Sequence, residues 1–194
     1  MSRVNVWAAL VALAVLGPAC EPGGIGDPCT PEAEYDPSFA GFDLREVSVE
    51  SRSYQCSSRV CLVNHFQGRV TCPYGQRDQD LGLGPDDPRR CRTPGSSEPV
   101  SVPVAAWNVQ RPPDDAVYCS CRCAGPDPTA RYCECPSGYT CAPVARYFGI
   151  GAEQRWGSFC IKEGTAFDAA ATGPLTCDVA PESTACDGAP LVNP

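Results

Sequence analysis

Residues 117–141 read VYCSCRCAGPDPTARYCECPSGYTC and hold six of the chain's fifteen cysteines. Cys119, Cys121 and Cys123 stand at every second position, and Cys133 and Cys135 repeat the spacing beyond a loop that begins Ala-Gly-Pro-Asp-Pro. Alternate side chains of an extended strand point to one face, so the pattern predicts a hairpin with sulfur on its inner surface. Cysteine at this density persists as disulfide in an oxidising compartment, which puts the folded chain outside the cytosol.

The totals agree with that reading. The 194 residues fit one domain or two small ones, and 21 prolines and 18 glycines favour turns over long helices. The expected fold class is a small disulfide-rich, mainly β structure with many loops, its short hairpins stapled by about seven disulfides. The formal charge is −8, and −9 once Arg3 leaves with a leader. Such a surface repels phosphate, which argues against nucleic-acid binding. Lys162 stands alone against fourteen arginines, a bias that reads as genome composition and carries no mechanistic weight at this level.

Residues 1–19 have the layout of a signal peptide. Arg3 gives the positive end, residues 4–16 form an apolar run broken by Asn5, and Gly17, Pro18 and Ala19 are small or turn-forming. Thirteen residues of helix reach about 20 Å, short of a bilayer core of roughly 30 Å. Cys20 follows directly. The arrangement resembles bacterial lipoprotein signals, with Leu16 one position further from the cysteine than such signals place it. The resemblance implies a diacylglyceryl thioether on Cys20, and, since Glu21 is not aspartate, an outer-membrane destination. The alternative is a plain secretory signal cleaved after Gly17-x-Ala19. Parity favours the anchor: fifteen cysteines cannot all pair within one chain, whereas fourteen can.

Four segments follow from composition: the leader (1–19), a flexible Gly/Pro tether (20–28), a disulfide-rich β domain (29–164) and an irregular Pro/Ala-rich tail (165–194). Residues 46–50 alternate polar and apolar and read as a half-buried strand. Residues 60–66 and 69–74 read as a hairpin closed at Gln67-Gly68. Residues 100–104 alternate again, with Pro103 demoting them to an edge. Residues 147–151 and 156–161 supply aromatic mass, with Cys160 on a last strand.

The expected framework is Cys29, Cys56, Cys61, Cys72, Cys91, Cys119, Cys121, Cys123, Cys133, Cys135, Cys141, Cys160, Cys177 and Cys186. Residues 29–91 hold five of these, residues 119–160 seven and the tail two. Odd counts cannot close within their own regions. Either one bridge joins the two regions, or Cys177 and Cys186 go to different ones. Neighbours at i and i+2 are poor partners, because a bridge needs a Cβ separation near 3.8 Å. Pairs between 119/121/123 and 133/135 are better.

Chemistry-bearing patterns are sparse. No C-x-x-C pair appears, so zinc, iron–sulfur, thioredoxin-type and haem motifs lack their signature, and no catalytic or cofactor-binding residue is assigned. His65 is the one histidine and reads as a surface residue near a hairpin tip. Asp78, Asp80, Asp86 and Asp87, with Gly82 and Gly84 between, offer oxygen ligands for calcium but lack EF-hand spacing. Arg89, Arg90 and Arg92 face those acids, so local ion pairing is the simpler expectation.

Residues 133–139, CECPSGY, are similar to the end of an EGF-like module, a likeness of hairpin chemistry alone. The leader, the single lysine and residues 61–76, CLVNHFQGRVTCPYGQ, resemble the cysteine-rich envelope lipoproteins of myxobacteria. That resemblance implies location and leaves activity open. The expectation is a lipid-anchored outer-membrane or cell-surface protein with a structural or protein-binding role, partnered by the membrane through Cys20 and by an envelope protein. The alternatives are a surface hydrolase of cell-wall or polysaccharide material, and a calcium-dependent adhesion module.

Overall fold

The strand from which the rest is built is β2, Val60–Asn64, with sequence VCLVN. The computed structural model describes residues 22–145 and 157–168, with Thr176. The leader, Cys20, Cys177, Cys186, Trp156 and residues 147–151 lie outside the described residues. β2 is apolar at successive positions because both of its faces are covered. Cys61 and Val63 enter one core cluster with Cys29, Phe42, Phe66 and Val117. Leu62 enters a second with Tyr118, Phe159 and Ile161.

β2 lies between β1 (Val47–Glu50) and β3 (Val117–Ser120) in an antiparallel sheet, with Glu50 opposite Cys61 and Cys61 opposite Cys119. A second antiparallel sheet contains β4 (Arg122–Ala124), β5 (Tyr139–Ala145) and β6 (Gly157–Lys162), in the order β4-β6-β5. Pro143 sits on the edge strand β5 beside a register shift, where its missing N–H costs least. The sheets are joined by hydrogen bonds as well as by the Leu62 cluster. The Ser120 hydroxyl donates to the Cys160 carbonyl at 2.8 Å, and the Lys162 N–H to the Tyr118 hydroxyl at 3.0 Å. The protein is thus a disulfide-rich, mainly β fold with many loops, as composition predicts.

Six disulfides join the twelve described framework cysteines: Cys29–Cys61, Cys56–Cys119, Cys72–Cys91, Cys121–Cys133, Cys123–Cys141 and Cys135–Cys160. Cys56–Cys119 is the bridge between regions that parity allowed. Cys121–Cys133 is of the expected cross type. The sulfur-lined hairpin itself is not formed. The chain breaks at Cys121, so Cys119 faces the first sheet's core, Cys123 lies in β4 of the second sheet, and Cys121 stands between them with its carbonyl accepting from Cys160. β4 pairs with β6, and residues 131–136 carry no strand. Equal spacing placed the thiols at equal parity, but a bend divided them between two sheets.

Two further expectations are corrected. Residues 69–74 do not pair with β2, whose edges are already taken by β1 and β3. The Val70 and Thr71 amides donate instead to the buried Glu34 carboxylate, at 2.6 and 3.0 Å. Residues 100–104 shrink to a single isolated bridge, Gln76 with Val104. The segment read as a tether is also shorter than expected. Gly23 donates to the Gln55 carbonyl at 2.7 Å, Gly26 to Cys119 at 2.8 Å, and Cys119 returns a bond to Asp27 at 2.8 Å. Residues 23–28 are therefore held on the domain.

Gly68 has a positive φ, of 85°, in a turn other than that of the expected hairpin. It exchanges two backbone hydrogen bonds with Phe42 and lies so close to the chain beyond that an added Cβ would stand 2.3 Å from the Ala105 carbonyl oxygen. Gly68→Ala is expected to destabilise the fold by about 2 kcal/mol or more, from backbone strain and clash together. Gly82→Ala, which meets open space, is expected to be near neutral. Urea unfolding of both variants checks the contrast.

Candidate functional site

Among the described residues, three places combine polar or reactive groups: a cleft beside His65, the sulfur clusters, and the acidic loop.

The cleft is built around Arg111. Its guanidinium donates to the His65 carbonyl at 2.9 Å, to Thr165 at 2.6 Å and to Asn64. It thereby ties the end of β2 to the segment after β6. Burial lowers the Arg111 pKa from its ordinary value, countered by Tyr118 and Asp115. His65 has φ of 56°, the left-handed region, and its ring stacks on Phe167 at 4.2 Å and 10°. Its Nδ1 lies 3.1 Å from the Leu44 carbonyl, which makes Nδ1 the protonated nitrogen. It is half-buried and sits at no hairpin tip, since the hairpin the sequence suggested does not form. The hollow has a volume of about 390 Å³ and is edged by Asp43, Arg45, Gln67, Gln110 and Asp115. Asp115 receives the Lys162 ammonium at 2.5 Å. Such a hollow can hold a small polar molecule. The Thr165 hydroxyl on its wall donates to the Lys162 carbonyl, so it is engaged by backbone and not by the imidazole.

The sulfur clusters are denser than any one bridge requires. The Sγ atoms of Cys29, Cys56 and Cys119 lie within 4.8 Å of one another, as do those of Cys121, Cys133 and Cys160, and of Cys123, Cys135 and Cys160. The Cys160 Sγ is 3.6 Å from Cys121 and 3.8 Å from Cys133. Metal ligation needs thiolates. Each of these sulfurs is spent in a disulfide, so the clusters serve as packed core in this state.

The acidic loop does not gather its carboxylates. Asp80 is buried and accepts from the Arg77 amide at 2.8 Å, closing the 3-10 turn Asp78–Gly82. Asp87 takes a bidentate bond from Arg89 at 3.0 and 2.9 Å, and that hydrogen bonding lowers its pKa to about 2. Asp86 lies 3.9 Å from Arg92. Ion pairing was thus rightly expected of Arg89 and Arg92. Arg90 differs: it is buried and donates to the carbonyls of Asp80, Leu81, Leu83 and Val100.

Sequence reading missed the buried polar clamps Glu34, Arg69, Gln76, Arg90 and Arg111. The signal that could have found them is the arginine excess, set aside as genome composition. Fold and site together define a disulfide-stapled small β protein with a polar cleft. Compared with known proteins, the chain matches no family model, no curated protein and no solved structure.

Desolvation lowers the His65 pKa, with Arg111 adding to the effect and the Leu44 bond opposing it. The fold therefore binds fewer protons at His65 than the unfolded chain does. That stability is fully present above the ordinary histidine value of about 6.5 and is lost as pH falls from there through the lowered value of the folded state. Melting between pH 7 and 5.5 is expected to show a declining midpoint. His65→Asn, which tolerates the left-handed backbone, is expected to flatten the decline.

Proposed function

We propose that the protein is a lipid-anchored component of the bacterial cell envelope, at the outer membrane or cell surface, with a structural or protein-binding role. The observation that carries this reading is the cysteine balance. The twelve described framework cysteines pair among themselves, which leaves Cys20, Cys177 and Cys186 outside them. Three thiols cannot all close within one chain. Cys177 and Cys186 sit nine residues apart in the tail, and Cys20 follows the small residues of a leader. The economical assignment is a seventh bridge and one lipidated thiol.

A binding role follows from the build. Six bridges at about 2–4 kcal/mol each, acting nonadditively, hold loops rigid that a core of this size would leave loose. Rigid loops bind partners at low entropic cost. The acidic surface selects against nucleic acid and in favour of basic or neutral protein surfaces.

The mature protein, extracted from membranes, is expected to have the mass of residues 20–194 plus a diacylglyceryl group, less about fourteen hydrogens for seven bridges. Cys20→Ser is expected to move it to the soluble fraction. An unlipidated membrane-extracted chain, with Cys20 free or joined to a second chain, would overturn the reading.

A further inference from the structure

The β1–β2 loop, residues 51–59, carries the most exposed aromatic side chain of the described residues. Tyr54 is 82% exposed, and the other large exposed hydrophobic side chain, Tyr35 at 52%, lines the same shallow hollow. The loop is not slack. Cys56 is buried and bridged to Cys119 on β3, and Ser53 and Arg59 close it with backbone bonds of 3.0 Å (Ser53 to the Arg59 carbonyl) and 2.9 Å (Arg59 to the Cys56 carbonyl).

Arg59 is the informative residue. Its φ is 65°, a region where glycine is easily accommodated and a residue with a Cβ costs about 1 kcal/mol or more. What the arginine adds is its head group, which lies 4.0 Å over the Tyr54 ring. A backbone strain is thus accepted to hold a cation against an aromatic ring that points into solvent. Arg52 stands exposed beside it, with its carbonyl accepting from Arg59 at 3.4 Å.

The same loop receives the N-terminal segment. Gly23 forms a parallel bridge with Cys56, donates to the Gln55 carbonyl and accepts from Ser57. Between Gly23 and Cys20 lie only Glu21 and Pro22, a reach of about 11 Å at full extension. An anchor at Cys20 therefore cannot hold the domain at a distance. The surface around Gly23 and Tyr54 must sit at the depth of the lipid headgroups.

We propose that this loop, with Tyr54, Arg52 and Arg59 foremost, is the face on which the domain rests against the phospholipid headgroup layer; the proposal depends on lipidation of Cys20. The chemistry suits that occupant. Tyrosine and arginine both place an apolar body and a polar tip at a membrane interface. The domain as a whole is acidic and is repelled by anionic lipid, so a face that meets the bilayer needs local cations. Two nearby carboxylates are turned to backbone, Glu50 accepting the Glu32 amide at 2.9 Å and Asp27 the Gly24 amide at 2.6 Å, while the exposed Glu32 carboxylate shares the hollow with Arg52.

The test uses the mature lipidated protein in vesicles of phosphatidylethanolamine and phosphatidylglycerol with brominated acyl chains. Tyr54→Trp introduces a reporter at an exposed position, and the wild type supplies the background from Trp107 and Trp156. Relative to the same variant with Cys20→Ser in solution, the reporter is expected to shift its emission to the blue. It should also lose most of its acrylamide quenching and gain quenching by the brominated lipid. Adding Arg59→Gly, which suits the backbone, is expected to weaken the lipid quenching. A lipid-bearing protein whose reporter stays open to acrylamide and untouched by bromine would leave the anchor standing and overturn the resting face. A chain with no lipid on its mass spectrum would remove both.

Discussion

An irregular chain leaves carbonyl oxygens that no β ladder pairs, and three buried guanidinium groups supply the missing hydrogens. Arg69 donates to Glu34, Asp36 and Phe39; Arg90 to Asp80, Leu81, Leu83 and Val100; Arg111 to Asn64, His65 and Thr165. Left unpaired in the interior, each such carbonyl would cost roughly 1–3 kcal/mol. A planar group with five donors reaches several carbonyls at once, which a lysine ammonium with three donors on one point cannot match. Burying the charge is itself costly, and desolvation lowers the Arg69 and Arg111 pKa values accordingly. The ring of carbonyl dipoles and the Glu34 and Asp36 charges near Arg69 offset that cost.

Disulfides solve the complementary problem. Hydrogen bonds from arginine stabilise loops once formed, whereas bridges reduce the freedom of the unfolded chain that must be lost to form them. The two devices divide the molecule between them. The loop cluster of Cys72, Cys91, Val100 and Val104 is held by one bridge and then plugged by Gln76, whose side chain donates to Val100 and Val102 and accepts from Cys91. In the sheets, sulfur replaces hydrocarbon. Cys29, Cys56, Cys61 and Cys119 pack as core beside Phe42, Val63 and Phe66.

Much of this was legible in the sequence, for reasons that can be named. β1 showed as alternation, β2 as the first strand of the expected hairpin, and Cys160 lies on the last strand as expected. Parity arithmetic offered a bridge between regions as one of two outcomes, because it depends on counting alone, and Cys56–Cys119 is that bridge. The failures share one cause. Period-two spacing fixes which side of a strand a residue faces but not whether the strand continues, and a break at Cys121 sent neighbouring thiols to different sheets. The hairpin at Gln67-Gly68 failed because β2 already had two partners and a buried carboxylate, Glu34, captured the amides that would have paired. A glutamate 36 residues upstream of Val70 gives no local sign of that role. The cleft beside His65 likewise depends on Arg111 meeting two distant segments, a contact that no window of sequence displays.

The N-terminal segment shows how composition misleads about mechanics. EPGGIGDP has the glycines and prolines of a flexible linker, yet glycine also permits close approach, and here it serves that purpose. Gly26, with φ of 95°, packs so tightly on the Tyr139 hydroxyl that a Cβ would stand 2.1 Å from it. Gly23 lies against Cys56, and residues 26–28 line the free edge of β3. Any pull on the N-terminus therefore reaches the Cys56–Cys119 bridge and, through β3, the sheet that β2 centres. A covered edge also cannot template pairing with another chain. One short segment thus protects an edge strand and is fastened to the part of the fold that Cys29–Cys61 and Cys56–Cys119 crosslink, which a slack tether of the same composition would not be.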